Sequence, residues 1–188
     1  MPERPFLQGQ TLEGLDKLGY KGEYEQCTFV DCDFSNADLG GSSFGKCTFR
    51  RCNLSNARLN GAAFREVKFA DCKLMGLHFD SCNPIGLEFS AESCLLNYSF
   101  FVQVKMRKTR FKDCQMREAD FTGADFTDSV FDHCDLLSAV FDGTNLERAD
   151  LSTAHSYSID PEKNRIRRAK FSLPDVIGLL NRYDIEIR

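Results

Sequence analysis

Large apolar residues recur at every fifth position over most of this chain. From Tyr24 the series runs Phe29, Phe34, Leu39, Phe44, Phe49, Leu54, Leu59, Phe64, Phe69, Leu74 and Phe79. After an irregular stretch around Pro84 it touches Phe89. It then resumes two residues out of phase at Leu96 and continues through Phe101, Met106, Phe111, Met116, Phe121, Phe126, Phe131, Leu136, Phe141, Leu146 and Leu151. Five is neither the helical period of about 3.6 nor the strand period of 2. A short fixed repeat held this long predicts a solenoid.

A second position keeps the same clock. Two residues before each large residue stands a small one, as at Cys27, Cys32, Ala37, Ser42, Cys47, Cys52, Ala57 and Ala62, and again at Cys114, Ala119, Ala124, Ser129, Cys134 and Ala139. Residues two apart on extended chain point the same way, so both positions can face inward. The other three positions are mostly Asp, Asn, Ser, Thr, Arg, Lys or Gly, which suit a solvated wall and its turns.

The cysteines set the length of one coil. Cys32, Cys52 and Cys72 are 20 residues apart, as are Cys94, Cys114 and Cys134, while Cys72 to Cys94 is 22. Four five-residue units therefore make a four-sided coil, and two extra residues enter near the middle. The reading assigns them to Ala91-Glu92, between Phe89 and Cys94. It stacks Phe29, Phe49, Phe69, Phe89, Phe111 and Phe131 on one side, and Phe34, Leu54, Leu74, Leu96, Met116 and Leu136 on the side that carries the cysteines. Pro84 replaces a large inward residue and lacks the backbone donor of a ladder, so a bend or bulge is expected there.

These residues place the chain among proteins it resembles, the pentapeptide-repeat family, whose consensus is A(D/N)LXX; Ala119-Asp120-Phe121-Thr122-Gly123 is one such unit. The resemblance covers roughly residues 22–154. It implies an all-β fold: a right-handed quadrilateral parallel β-helix filled by its own side chains. Twenty-six units give six and a half coils, a rod about 30 Å long at the spacing of stacked strands. The division expected is a lead-in or cap over 1–21, the β-helix over 22–155 with an irregularity near 83–95, and a C-terminal cap and dimerisation segment over 156–188.

Composition fits this picture. Of 17 Phe, 14 fall on the large inward position, and the chain has no Trp. Nothing near the start reads as a secretory signal and no run approaches a membrane span, so a cytoplasmic protein with no membrane contact is expected. The nine cysteines are odd in number, contain no Cys-x-x-Cys pair and all sit at the small inward position. They read as buried free thiols, not disulfides or a metal site. Gly40 to Lys46 has the spacing of a phosphate loop, but Cys47 stands where Ser or Thr is needed, and Ser42 and Phe44 are in-register repeat positions. No catalytic constellation is found among the scattered Asp and the isolated His78, His133 and His155, and no cofactor is expected. The chain reads as a non-enzyme.

Charge is unevenly spread on a chain of net charge −4. Lys105 to Lys112 holds five bases and no acid, whereas Asp113 to Leu151 holds ten acids against Arg117 and Arg148. Regularly spaced carboxylates on a narrow rod would draw a cationic groove. The candidate partner-binding residues are Asp120, Asp125, Asp128, Asp132, Asp135, Asp142 and Asp150; the competing reading is that Asp merely suits the repeat.

Beyond Leu151 the clock stops. Phe171 to Arg182 reads as a short helix, with Ser172 or Leu173 before it and Pro174 and Asp175 in its first turn. Asp184 to Ile187 alternates like a short strand. A dimer interface is expected at Phe171, Leu173, Val176, Ile177, Leu180, Tyr183, Ile185 and Ile187, because one rod end can cover only part of this apolar set. The Pro-Glu-x-Asn-Arg-Ile phrase at Pro161 to Ile166 is similar to the microcin-immunity branch of the family and, more distantly, to its quinolone-resistance proteins. That resemblance implies a DNA-shaped homodimeric rod that binds DNA gyrase or topoisomerase IV, giving toxin immunity or modulating the topoisomerase, with no direct nucleic-acid binding. The chain lacks the long projecting loop of the drug-protecting relatives. The alternative is a protein-interaction scaffold with no topoisomerase partner.

Overall fold

The computed structural model describes residues 5–19, 21–183 and 185–186, and it is an all-β parallel solenoid. Strands β1 (Phe6–Gln8), β3 (Glu23–Glu25), β5 (Ser43–Gly45) and β7 (Ala63–Arg65) form a four-stranded sheet. A nine-stranded sheet runs from β2 (Thr11–Glu13) through β4 (Thr28–Val30), β6 (Thr48–Arg50), β8 (Val67–Ala70), β9 (Phe89–Glu92), β10 (Arg110–Lys112), β11 (Val130–Asp132) and β12 (Asp150–Leu151) to β13 (Lys170–Phe171). The other two sides are held by isolated parallel bridges such as Asn53 to Lys73 and Asp120 to Val140. Each side is named here by its first large inward residue: Tyr24, Phe29, Phe34 or Leu39.

Nine stacked strands span eight coil steps, about 38 Å at the usual strand spacing. The ladder is longer than the five-residue clock because it needs only extended backbone in register, not a large residue at each turn. At its start, Phe6 pairs with Glu23 and Thr11 with Thr28, a coil three residues short of 20. At its end, Leu151 pairs with Phe171.

The large and small residues fill the tube as expected. Phe29, Phe34, Phe44, Phe49, Phe101, Phe111 and Phe131 are fully buried. Rings one coil apart stack, with centroids 4.5 Å apart for Phe29 and Phe49 and 5.2 Å for Phe101 and Phe121. Rings on adjacent sides meet edge to face, as Phe121 and Phe126 do at 5.5 Å. This alternation suits the ring quadrupole and packs the interior densely.

The corners carry a feature that composition hides. The second residue after most large ones adopts a left-handed backbone, whether it is Gly123 (φ 66), Glu118 (φ 55) or Asp128 (φ 60). For a non-glycine residue this costs roughly 1 kcal/mol. It is held because the corner amide must reach the next coil, as Glu118 N–H donates to the Leu137 carbonyl at 2.9 Å. Gly40 to Lys46 is an ordinary corner running into β5, with no helix after it.

The two extra residues lie earlier than the sequence reading placed them. Asn83 N–H still donates to the Ala62 carbonyl in the 20-residue register, but Val67 already pairs with Phe89 and Phe69 with Ala91, an offset of 22. The insertion therefore falls between Asn83 and Glu88, at Pro84 to Leu87, and not at Ala91-Glu92. Phe89 does not stack as the next large residue after Phe69. It occupies a small position and Ala91 the large one, and both are 2% exposed. The exchange conserves volume: the Phe89 ring lies 5.4 Å from Phe69, 4.7 Å from Phe79 and 6.1 Å from Phe111, filling the space that Ala91 leaves.

All nine cysteines are free and buried. Their thiols donate weak hydrogen bonds to wall carbonyls, as Cys72 Sγ does to Ala70 O at 3.2 Å and Phe49 O at 3.4 Å. Burial pushes the Cys47 and Cys82 thiols up to about 12.

Two predictions follow from this packing. Phe89→Ala should cost roughly 3–5 kcal/mol through the cavity it leaves, and Ala91→Phe roughly 1–3 kcal/mol through overpacking. The double variant Phe89→Ala/Ala91→Phe restores the regular small-large order and should be less destabilised than the sum of the two. Strict additivity in urea denaturation would defeat the proposed exchange of positions. The thiols give a pH test. Because the folded values are raised, their stabilising contribution is complete below about pH 9 and is lost as pH rises toward 12. Denaturation midpoints should fall over that window, and should fall less in Cys47→Ala/Cys82→Ala.

Candidate partner-binding surfaces

The seven acidic candidates do not gather on one side. Asp120 lies on the Leu39 side, Asp125 on the Tyr24 side, Asp135 on the Phe34 side and Asp150 on the Phe29 side, as their bridges to Phe100, Lys105, Gln115 and Val130 show. Asp128, Asp132 and Asp142 follow the inward residues Phe126, Phe131 and Phe141 toward the corners.

Four of the seven build turns. The carboxylates of Asp120, Asp125, Asp135 and Asp150 each accept the backbone N–H two residues on, at 2.9 to 3.1 Å. Asp33, Asp38 and Asp160 do the same elsewhere. This Asx geometry is why Asp and Asn precede the large residue so often.

Five of the seven are also neutralised by a cation from an adjacent coil. Arg107 reaches Asp125 at 2.7 Å, Arg110 reaches Asp132 at 2.9 Å, and Arg117 reaches Asp135 at 2.7 Å. Arg148 grips Asp128 at 2.6 Å, and Lys170 lies 3.0 Å from Asp150. The basic run and the acidic run, separate along the chain, are thus stacked one coil apart. The Arg148 hydrogen bond holds Asp128 below the usual carboxylate range, and the Thr153 hydroxyl, with His133 and Arg110, does the same for Asp132. Burial raises Asp125, but hydrogen bonds from Thr127 and Arg107 outweigh it and leave it lowered.

Asp120 and Asp142 are the exceptions; neither forms an ion pair among the described residues. Both belong to the Leu39 side, where the outward row Phe100, Asp120, Val140 also carries apolar groups. Val140 and the nearby Leu137 are each 47% exposed. This side combines unneutralised carboxylates with accessible apolar surface. Charge composition could not reveal it, because it is defined by the absence of partners at a cross-coil spacing.

At the C-terminal tip, 3-10 turns over Asp175–Leu179 and Asn181–Tyr183 replace the expected helix. Ile159 N–H donates to the Gly178 carbonyl at 3.0 Å, and a side chain at Gly178 would strike the Tyr157 carbonyl. Arg182 clasps Asp160 at 2.7 and 2.8 Å. The segment is therefore tied down across the last coil. Phe171 and Val176 are half-buried, and Leu179, absent from the candidate set, packs with Phe171 against the core. Leu173, Ile177, Leu180, Tyr183 and Ile185 are exposed, Leu173 at 88%. Ile185 and Glu186 are not in a strand, and Asp184 and Ile187 lie outside the described residues.

Among the described residues no group of three His, Cys, Asp or Glu side chains is placed to hold a metal ion, and no helix is long and apolar enough to cross a membrane.

No curated protein matches the sequence. Among solved structures, the chain is similar to full-length QnrB1, a plasmid-mediated fluoroquinolone resistance protein. Identity is 22% and the TM-score 0.50, over 96% of this chain and 100% of that one. A trypsin-treated variant of QnrB1 matches at 20% identity and a TM-score of 0.53, over 99% of both chains. At this identity the likeness shows the fold. The sequence itself matches the pentapeptide repeat region over residues 22–91 and pentapeptide repeats over 91–123 and 119–155. The chain belongs to the pentapeptide-repeat proteins.

Proposed function

We propose that this rod is a non-enzymatic ligand of a type II topoisomerase, DNA gyrase or topoisomerase IV, which it binds in the cytoplasm to give toxin immunity or to modulate the enzyme. The observation that carries this reading is the end-to-end correspondence with a fluoroquinolone resistance protein of the same fold, 96% of one chain on 100% of the other. Proteins of this architecture serve as interaction scaffolds, which fits a side-chain-filled tube. The Leu39 side supplies the surface: Asp120 and Asp142 present charge that no cation among the described residues neutralises, beside exposed Val140. The remaining candidates, Asp125, Asp128, Asp132, Asp135 and Asp150, contribute to the field of the rod while holding its coils in register.

A second reading has its own support. Because five of seven candidate carboxylates are locally paired, the rod carries less free negative charge than its sequence implies, which favours a scaffold for some other protein. Titrating purified protein into a gyrase supercoiling assay, with and without a gyrase poison, separates the two. The topoisomerase reading expects a change in supercoiling or in cleavage-complex formation at micromolar protein, weakened by Asp120→Asn/Asp142→Asn and little altered by Asp128→Asn. No effect of the unaltered protein would sink it.

We also propose that two rods pair through their C-terminal tips. Five exposed large apolar residues on one tip form a patch of the kind that marks an interface, and a two-fold contact of identical ends is closed. Sedimentation at tens of micromolar should show a dimer, and Ile177→Asp/Leu180→Asp should give a monomer. A monomeric native protein would defeat the pairing, and a dimer indifferent to both changes would place it elsewhere.

A further inference from the structure

The coil-to-coil ladder is interrupted at Lys105, and this interruption opens onto a groove. In regular coils the residue before each large one uses both backbone groups toward the preceding coil. Leu95 N–H donates to the Cys72 carbonyl at 2.9 Å, and Leu95 O accepts from Leu74 N–H at 2.7 Å. Five residues on, Phe100 N–H donates to Leu77 O at 2.8 Å, and Phe100 O accepts from Phe79 N–H at 2.9 Å. By the same register Lys105 N–H would meet Cys82 O, and Lys105 O would accept from residue 84. Residue 84 is Pro84, which has no N–H, and the two-residue insertion carries the chain outward there. Among the described residues neither backbone group of Lys105 has a protein partner on that side, although the next coil pairs normally, with Asp125 N–H donating to Val104 O at 2.8 Å.

The gap is a groove of about 410 Å³. Buried Phe79, Leu87 and Val104 lie beneath it, with Pro84, Ile85 and half-buried Val102 beside them. Ile85 is 75% exposed, an unusual position for so apolar a side chain. The charged lining is asymmetric. Asp80, on the Leu39 side, is engaged by His78 Nδ1 at 3.2 Å. Lys105, around the corner on the Tyr24 side, has no carboxylate partner among the described residues, although Arg107, Arg110 and Lys112 beyond it all do.

From this we infer that the groove receives an extended segment of a partner protein. That segment pairs its main chain with Lys105, sets one large apolar side chain over Leu87 and Val104, and places a carboxylate against the Lys105 ammonium. An unpaired N–H and C=O on one residue is the minimum edge for strand addition, in which main-chain bonds supply affinity and side-chain pockets supply selectivity. The two free backbone groups ask for an extended chain, the apolar floor for the large side chain, and the uncompensated cation for the acid. The inference stands apart from the topoisomerase reading, since it names the chemistry of a segment and not the protein that carries it.

The test uses the full-length ¹⁵N-labelled protein and a capped peptide, acetyl-Thr-Leu-Phe-Asp-Glu-amide, with acetyl-Thr-Leu-Phe-Lys-Lys-amide as control. In the free protein the Lys105 amide should exchange with solvent much faster than those of Phe100 and Asp125. The acidic peptide at millimolar concentration should shift the amides of Val102 to Lys105 and Ile85 to Leu87 and slow exchange at Lys105. The lysine peptide should bind about tenfold more weakly. Pro84→Ala gives residue 84 a backbone N–H and the freedom to compete for Lys105 O, and Val102→Asp puts a negative charge in the groove. Each should weaken the acidic peptide while distant amides stay in place. Absence of shifts at the groove, equal response to both peptides, or binding unaffected by both substitutions would overturn the inference. Concentration-dependent protection of Lys105 in the peptide-free protein would assign the groove to a second copy of this chain and overturn it equally.

Discussion

Every property of this rod depends on the parallel hydrogen-bond ladder between coils in a register of 20 residues. That register aligns Phe29 with Phe49 and Phe49 with Phe69, so each ring can lie on the one before it. It also explains which irregularities are tolerated. Extended side chains alternate in and out with period 2, so a slip of one residue would turn the packed set toward water. A slip of two keeps inward residues inward and only exchanges small and large positions. The step of 22 residues from Val67 to Phe89 does this, and the Phe89–Ala91 exchange is the packing answer to it. The odd shortfall of three in the first coil cannot be absorbed this way. It falls between β2 and β3, where no strand forms.

The architecture was legible because two inward positions out of five repeat without regard to what lies outside. The site of the insertion was not. A Phe two residues from an Ala fits either phase of the clock, and Phe89 continues the five-residue series by number while occupying a small position in space. The left-handed corners were hidden for a related reason. The ladder fixes their backbone, so Glu118 and Asp128 stand where glycine would cost less, and no residue preference betrays the conformation. The tip was only partly legible: its apolar content is plain in the sequence, but not that Leu179 turns inward and Leu173 outward.

The acidic surface shows how a sound inventory of charge can mislead. Counting along the chain separates a basic stretch from an acidic one. Folding at 20 residues per turn lays Arg107 and Arg110 against Asp125 and Asp132. The signal was present, since Arg51 follows Asp31 by 20, Arg148 follows Asp128 by 20 and Lys112 follows Glu92 by 20. Exposed pairs of this kind add little stability singly. Their regular recurrence instead favours the correct register over its neighbours, because a slip by one unit would separate each charge from its partner. Asp120 and Asp142 stand out against this background because no cation among the described residues pairs with them.

A regular coil leaves a partner little to hold beyond its outward side chains, since the ladder commits its backbone groups and the core consumes its apolar ones. The surfaces proposed for binding therefore lie where regularity fails. The C-terminal tip fails because the ladder ends at β13 with more apolar residues than one cap can cover. The Lys105 groove fails because a proline cannot donate and an insertion moves the chain aside. The Leu39 side fails in charge, with two carboxylates left without cations among the described residues. These three places differ in chemistry, as an apolar patch, a strand edge and an acidic face, and they lie at different heights on one rigid rod. A large partner could engage the acidic face and the groove together, because both border the same corner, while the tip remained available to a second rod.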